Sequence, residues 1–248
     1  MGSLDLSGLR ASLVEVGTAF FTELVEALGQ NLISIAVVGD AAIGVPRGGR
    51  LDINSVAILK AIEVRHLRAI APLGKKHGRK GMAAPFLLTP EVIETSRDVF
   101  AVEYLNFRLA HTTIYGPDLL SDIEIEPDHL RLQCERELKG FLLQLRQGFI
   151  KTAGDSRLLQ DVLTEASRDL FPELRAVLHL LGKPISLSNE KDLQALCEGL
   201  DIDGEGVQQV LLSADLPAKP SAEELEGRFS DLYGFIRFVS EKVDAGLG

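Results

Sequence analysis

The feature that most limits the fold of this chain is the stretch QNLISIAVVGDAAIGVPRGGRLDINSVAIL, residues 30–59. Within it, NLISIAVVG is a short, β-branched and nearly continuous apolar run, the pattern of a strand buried on both faces. A turn carrying Gly39 and Gly44 follows, then a basic loop, VPRGGR, then a second strand, LDINSVAIL. A strand that ends in Gly39 and turns into a helix offers free backbone N–H groups, and Gly44 lets the chain pass close to a ligand. A phosphate can dock on such a turn. Asp52 and Asn54 stand two residues apart and therefore project from one face, beside the glycine turn if the two strands pair.

The surrounding sequence alternates helix and strand. Residues 5–29 repeat apolar positions at helical spacing and end in Gly29, which reads as a C-cap. Residues 61–80 read as a helix, APFLLT as a third short strand, and PEVIETS as a helix with Thr89 at the N-cap and Pro90 at the first helical position. The run DVFAVEYLNFRLAHTTIYG reads as one long strand, or two joined at a bend. Beyond Gly116 the texture changes to Leu-rich segments of helical period, 127–152, 155–182, 188–213 and 221–245, with Asp155, Ser188 and Ser221 where N-caps belong. The expected class is α+β: a mixed β-sheet with flanking helices in a domain of residues 1–120, then a helical bundle of residues 121–248.

Composition narrows the function classes. No apolar run reaches the length of a membrane span, and MGSLDLSGLR has neither a basic region nor an apolar core, so the expectation is a cytoplasmic protein without a signal peptide. Cys134 and Cys197 lie far apart in apolar-periodic stretches, which argues against a disulfide or zinc site. The five histidines show no HxH or HExxH spacing. A net charge of −10 argues against general nucleic-acid affinity. The charge is uneven, however: nine Lys or Arg against Asp52 and Glu63 make residues 47–80 net +7, and the remainder −17. That basic run reads either as a solvated helix face with a basic loop or as a positive wall beside an anionic ligand.

The block Gly39-Asp40-Ala41-Ala42-Ile43-Gly44, followed after a basic loop by Asp52-Ile53-Asn54, resembles the signature of the nucleotidyltransferase superfamily, of the kanamycin nucleotidyltransferase and minimal nucleotidyltransferase type. That signature is Gly-Ser, a few residues, Gly, a spacer, then Asp-x-Asp, with a third carboxylate on a later strand. The resemblance covers about the first 110 residues by motif and implies transfer of a nucleoside monophosphate from a nucleoside triphosphate to a small acceptor. It also implies Mg²⁺ held by Asp52 and by a third carboxylate, for which Glu103 is the candidate and Asp98 the second choice. Gly39, Asp40, Gly44 and Asn54 would shape the nucleotide site, and Arg47, Arg50 and Lys60 would neutralise phosphate charge.

Two departures fall where the chemistry belongs. Asp40 replaces the Ser that contacts the triphosphate, and a carboxylate about 4 Å from a phosphate charge costs on the order of 4 kcal/mol at an effective dielectric near 20. Asn54 replaces the second metal-binding carboxylate and offers only a neutral amide oxygen. The expectation is therefore a nucleotidyltransferase-like protein of impaired catalysis that binds a nucleotide or another anionic ligand, with Mg²⁺ required only if it is active. An active Mg²⁺-dependent enzyme is one alternative. An interaction protein whose helical bundle forms a homodimer or engages a protein partner is the other. On the bundle, Glu135 and Glu137 could in principle face a cleft as a general base, but Arg131 to Glu135 reads as an i,i+4 ion pair on a solvated face. Arg175 and His179 are too closely spaced for the Arg-His pair of a HEPN ribonuclease domain.

Overall fold

The computed structural model describes residues 3–44, 53–212 and 220–247. They form α1 (Ala11–Leu28), β1 (Leu32–Val38), α2 (Asp40–Ile43), β2 (Asn54–Leu59), α3 (Val64–His77), β3 (Phe86–Leu88), α4 (Pro90–Thr95), α5 (Ala101–Leu109) and β4 (His111–Tyr115). The helices α6 (Pro127–Thr152), α7 (Ser156–Asp169), α8 (Phe171–Leu180), α9 (Asn189–Leu200), α10 (Glu205–Leu211) and α11 (Ala222–Asp244) complete the chain. It divides into two compact units, residues 1–97 with 104–124, and residues 98–103 with 125–248.

In the first unit the apolar run forms a central strand. β1 pairs antiparallel with β2 on one side and with β4 on the other, and β3 joins β2 in parallel, giving the order β3-β2-β1-β4. One face of the sheet, with Ile35, Val37, Ala57, Leu59, Ile114 and Tyr115, packs in a core with Leu13, Phe20, Phe21, Leu24 and Leu28 of α1. Each Val, Leu, Ile or Phe among them contributes about 1.5–3 kcal/mol on full burial. Gly29 ends α1 at φ 50°, where the left-handed region excludes most side chains, and its N–H caps the Val25 carbonyl.

Thr89 caps α4 by accepting the Val92 N–H, and Asp155 and Ser221 cap α7 and α11 in the same way. Ser188 occupies the N-cap position of α9 without a side-chain cap bond. Three expectations needed correction. Residues 5–10 precede α1 rather than belonging to it. The run read as a long strand is α5 followed by β4: Ala101, Val102, Tyr104 and Leu105 are buried while Glu103 is exposed, which is helical rather than alternating periodicity. The spans 155–182 and 188–213 are each two helices. Pro172 in the first turn of α8 cannot continue α7, and Asp201 at φ 53° ends α9.

In the second unit α6 packs on α11, with Leu138, Leu142, Leu145, Leu232, Phe235 and Val239 buried. Both cysteines are free and buried. Arg175 and Asp192, nearly inaccessible, join α8 to α9. The Arg175 guanidinium donates to Asp192 at 2.9 Å and to Asn189 at 2.9 Å, while Asp192 accepts the Ser186 N–H at 2.7 Å and its hydroxyl at 2.9 Å. Removing one partner leaves a buried charge uncompensated, so Asp192→Ala should cost about 3–5 kcal/mol in urea unfolding. Glu241→Ala, which breaks the exposed Arg237–Glu241 pair, should cost less than about 1 kcal/mol; equal costs would contradict this account.

Candidate functional site

The glycine turn leaves β1 directly. Gly39 is the N-cap of α2 at φ 71° and Gly44 its C-cap at φ 74°, conformations that L side chains rarely adopt. The Gly39 N–H donates to the Ala110 carbonyl at 2.8 Å, which fastens the turn to the start of β4. Asp40 is the first residue of α2 rather than its cap, so its carboxylate complements the helix dipole from the first turn.

Across the last rung of the sheet, Val38 lies opposite Asn54 on β2 and opposite His111 on β4. The three side chains therefore share one face, in a row just before the glycine turn. Pairing of the two strands thus brings Asn54 to the turn as the sequence implied. Asp52, Arg47 and Arg50 lie outside the described residues. Lys60 is exposed at the other end of β2, six residues from Asn54 and so about 20 Å along the strand, and is not brought to the turn. Arg65, Arg68, Lys75, Lys76, Arg79 and Lys80 are exposed on α3 and the 3₁₀ turn after it, a solvated basic face.

Glu103 does not sit on a strand and is not a buried acid. It is exposed in the first turn of α5 and belongs to the second unit. Its carboxylate accepts the Gln133 amide at 2.7 Å, and the other end of that amide accepts the Val102 N–H at 2.8 Å. Buried Gln133 thus clamps the first turn of α5. The nearby arginines are engaged elsewhere, Arg97 with Glu94 and Glu124, and Arg108 with the Ile123 carbonyl. Asp98 is exposed in the turn before α5.

Two Mg²⁺ ions at a triphosphate call for carboxylate oxygens. β4, HTTIY, carries none. In the row nearest the turn it presents His111, whose Nε2 contacts both oxygens of Asp118 at 3.1 Å and whose Nδ1 contacts the Arg108 carbonyl at 3.2 Å. Asp118 also accepts from the Leu120 N–H, the Ser121 N–H and the Ser121 hydroxyl. Burial would raise its pKa, but the Ser121, Leu120 and His111 bonds outweigh it and hold the carboxyl well below the usual range. Its lone pairs are committed. Among the described residues no group of three or more His, Cys, Asp or Glu is placed to hold a metal ion, so this part of the donor set does not fit a two-metal centre.

No family model matches the sequence, and no curated protein matches it. Among solved structures, the spectinomycin adenyltransferase AAD(9) from Enterococcus faecialis, determined with ATP and spectinomycin, has a TM-score of 0.52 to this chain. Identity is 14%, with 92% of this chain and 98% of that one covered. The fold is nucleotidyltransferase-like. At that identity the likeness is one of fold. Among the described residues no helix is long and apolar enough to cross a membrane.

Sequence reasoning missed two groups beside the turn. Arg10 is one: a Cβ at Gly44 would stand 2.7 Å from its Nε. A separation of 34 positions leaves no local signal, because the approach depends on residues 5–8 lying against β4, where the Asp5 N–H donates to the Ile114 carbonyl at 2.8 Å and Gly8 approaches Thr112. His111 is the other, hidden in a run that reads as one long strand or two joined at a bend.

On α6 the expected Arg131–Glu135 pair is present at 3.4 Å, and Lys139 bridges Glu135 at 2.6 Å and Asp244 at 3.1 Å. Glu137 accepts from Arg136. Glu173 on α8 is the acid that sequence reasoning passed over. Burial pushes its pKa up to about 8 from 4.5; a backbone hydrogen bond opposes this, while the charges of Glu137, Glu103 and Asp169 add to it, and one of its oxygens is buried without a hydrogen-bond partner among the described residues. The folded state therefore binds a proton more tightly than the unfolded chain, and stability falls as pH rises from about 4.5 through about 8. Glu173→Gln should stabilise the protein above about pH 8 by on the order of a few kcal/mol, with the gap closing near pH 4.5. A gap in urea unfolding that is the same at both ends of the range would refute the ionisation account.

Proposed function

We propose that this chain binds a nucleotide or another anionic ligand at its glycine turn and has lost standard nucleotidyl transfer. The single observation that carries this is the row at the turn: Asn54 stands where the resemblance calls for the second carboxylate, and His111, tied to Asp118, stands on the later strand. Gly39, Asp40, Gly44 and Asn54 shape the site, and Arg47 and Arg50 of the neighbouring loop supply positive charge. The α/β domain of residues 1–120 holds the ligand and residues 121–248 form the appended bundle. That the similar adenyltransferase structure holds ATP supports a nucleotide as the ligand.

In an active enzyme, Asp52 and Glu103 would hold Mg²⁺ and the chain would pass a nucleoside monophosphate to a small acceptor. Transfer of radiolabel from each nucleoside triphosphate to a panel of small acceptors should stay at the level of Asp52→Ala; transfer that Asp52→Ala abolishes would overturn the proposal. A nucleoside triphosphate at about 100 times its Kd should add about 2.7 kcal/mol to stability, read as a rise in melting temperature.

A second reading has its own observation. Leu132, Leu143 and Ile150 are exposed on α6, and spacings of eleven and seven residues put them on one stripe of the helix. Such a stripe suits association of two copies of the chain. Sedimentation equilibrium of the wild type and of Leu143→Glu decides it: a dimer that the substitution converts to monomer supports this reading, and a wild-type monomer at high micromolar concentration ends it.

A further inference from the structure

We infer that the groove between α6 and α7 receives α3 of a second copy of this chain, with the apolar stripe of α3 on the groove floor and its cations on the acidic rim. The inference goes beyond the proposed function, since it uses neither the glycine turn nor the exposed stripe of α6.

The groove has a volume of about 140 Å³. Leu145 of α6 and Ala166 of α7, both buried, belong to its floor, and Phe141 and Val162 are half-buried in its walls. At one end the helices touch: a Cβ at Gly148 would stand 3.0 Å from a Val162 methyl group. Glu165 and Asp169, one turn apart on α7, line the groove and are exposed. Among the described residues neither side chain has a hydrogen bond or an ion pair, so both carboxylates are open to a cation. Small-molecule pockets run to roughly 300–1,000 Å³, so a groove of this size suits one or two side chains of a protein better than a metabolite.

α3 has the matching shape and charge. On its inner face Ile70 and Leu73 pack in the α1 core and His77 meets Phe20 edge-on. Val64, Leu67 and Ala71, at i, i+3 and i+7, form a second stripe away from that core, with Val64 62% and Leu67 45% exposed. Arg68 and Lys75 stand on the same side of the helix as this stripe. Arg65 is paired with Glu63 and Lys76 with Glu23, whereas among the described residues Arg68 and Lys75 have no carboxylate partner. Val64 to Ala71, Phe141 to Gly148 and Val162 to Asp169 are equal spans, each about 10 Å of helix.

Charge selects the occupant. Residues 47–80 are net +7 and the remainder −17, so two copies attract where α3 of one meets an acidic part of the other and repel elsewhere. The cations of α6 do not compete for this role: Lys139 is spent on Glu135 and Asp244, and Arg136 on Glu137. Leu143 lies on the opposite side of α6 from Phe141 and Leu145, which makes this contact separable from one through the exposed α6 stripe. A helix in a groove is a heterologous contact, so two copies close into a dimer if both grooves fill and assemble further if they do not.

Sedimentation velocity of the full chain, at low salt and in about 1 M NaCl where the screening length falls to about 3 Å, tests this. Wild type should associate at high micromolar concentration in low salt, with a Kd weaker by about tenfold or more in high salt. Arg68→Glu with Lys75→Glu, and separately Glu165→Lys with Asp169→Lys, should each give a monomer whose melting temperature stays close to wild type. Mixing the two variants, or placing all four substitutions in one chain, should restore association, because the opposed charges have exchanged sides. Restoration cannot come from misfolded protein. Leu67→Asp should weaken association, and Leu143→Glu should leave it unchanged. A wild-type monomer in low salt, association that both reversals leave intact, or reversals that no exchange restores would each overturn the inference. Association that Leu143→Glu abolishes and both reversals spare also overturns it, and assigns self-association to the α6 stripe.

Discussion

The pairing of β1 on both its edges is the constraint on which the first unit depends. A strand hydrogen-bonded on two sides has no free edge, and its register sets what its neighbours present at each rung. Because Val38 is the last residue before Gly39, the residues opposite it, Asn54 and His111, become the walls of whatever the glycine turn holds. A slip of one residue in either pairing would turn that wall toward the α1 core and leave the turn without polar flanks.

The chemistry of those walls departs from the phosphoryl-transfer arrangement in one consistent direction. Where the resemblance calls for carboxylates, β2 presents a neutral amide and β4 an imidazole held between a carbonyl and a carboxylate. Asp40 opens the first turn of α2, and the Arg10 side chain lies against Gly44 at its other end. The second unit shows how polar groups are managed away from any site. Arg175 and Asp192 satisfy each other and the 186–189 segment, and Gln133 closes the first turn of α5. Glu173 is the exception, stabilised in its protonated form by burial.

Much of this was legible in the residues. Gly29, Thr89, Asp155 and Ser221 mark helix ends through local hydrogen bonds that need no tertiary contact, and β-branched runs mark β1 and β2. The glycine turn and the placement of Asn54 beside it followed from strand periodicity. The reading of Glu103 on a strand did not survive: its apolar neighbours were compatible with strand or helix, and in the structure the segment is helical with the carboxylate exposed and bonded to Gln133, thirty residues away. Lys60 follows a strand whose polarity carries it away from the turn, a consequence of register that composition does not encode.

By itself the sequence determined the element types wherever caps, glycines and apolar periods are local, along with the glycine turn, the paired strands and the two altered positions at 40 and 54. Tertiary structure alone decided which distant residues meet there. Arg10 reaches Gly44 because residues 5–8 lie against β4, and His111 faces Val38 because a helix ends one residue before that strand begins. Both are long-range juxtapositions set by packing and hydrogen-bond register, which leave no periodic or spacing signal in the chain.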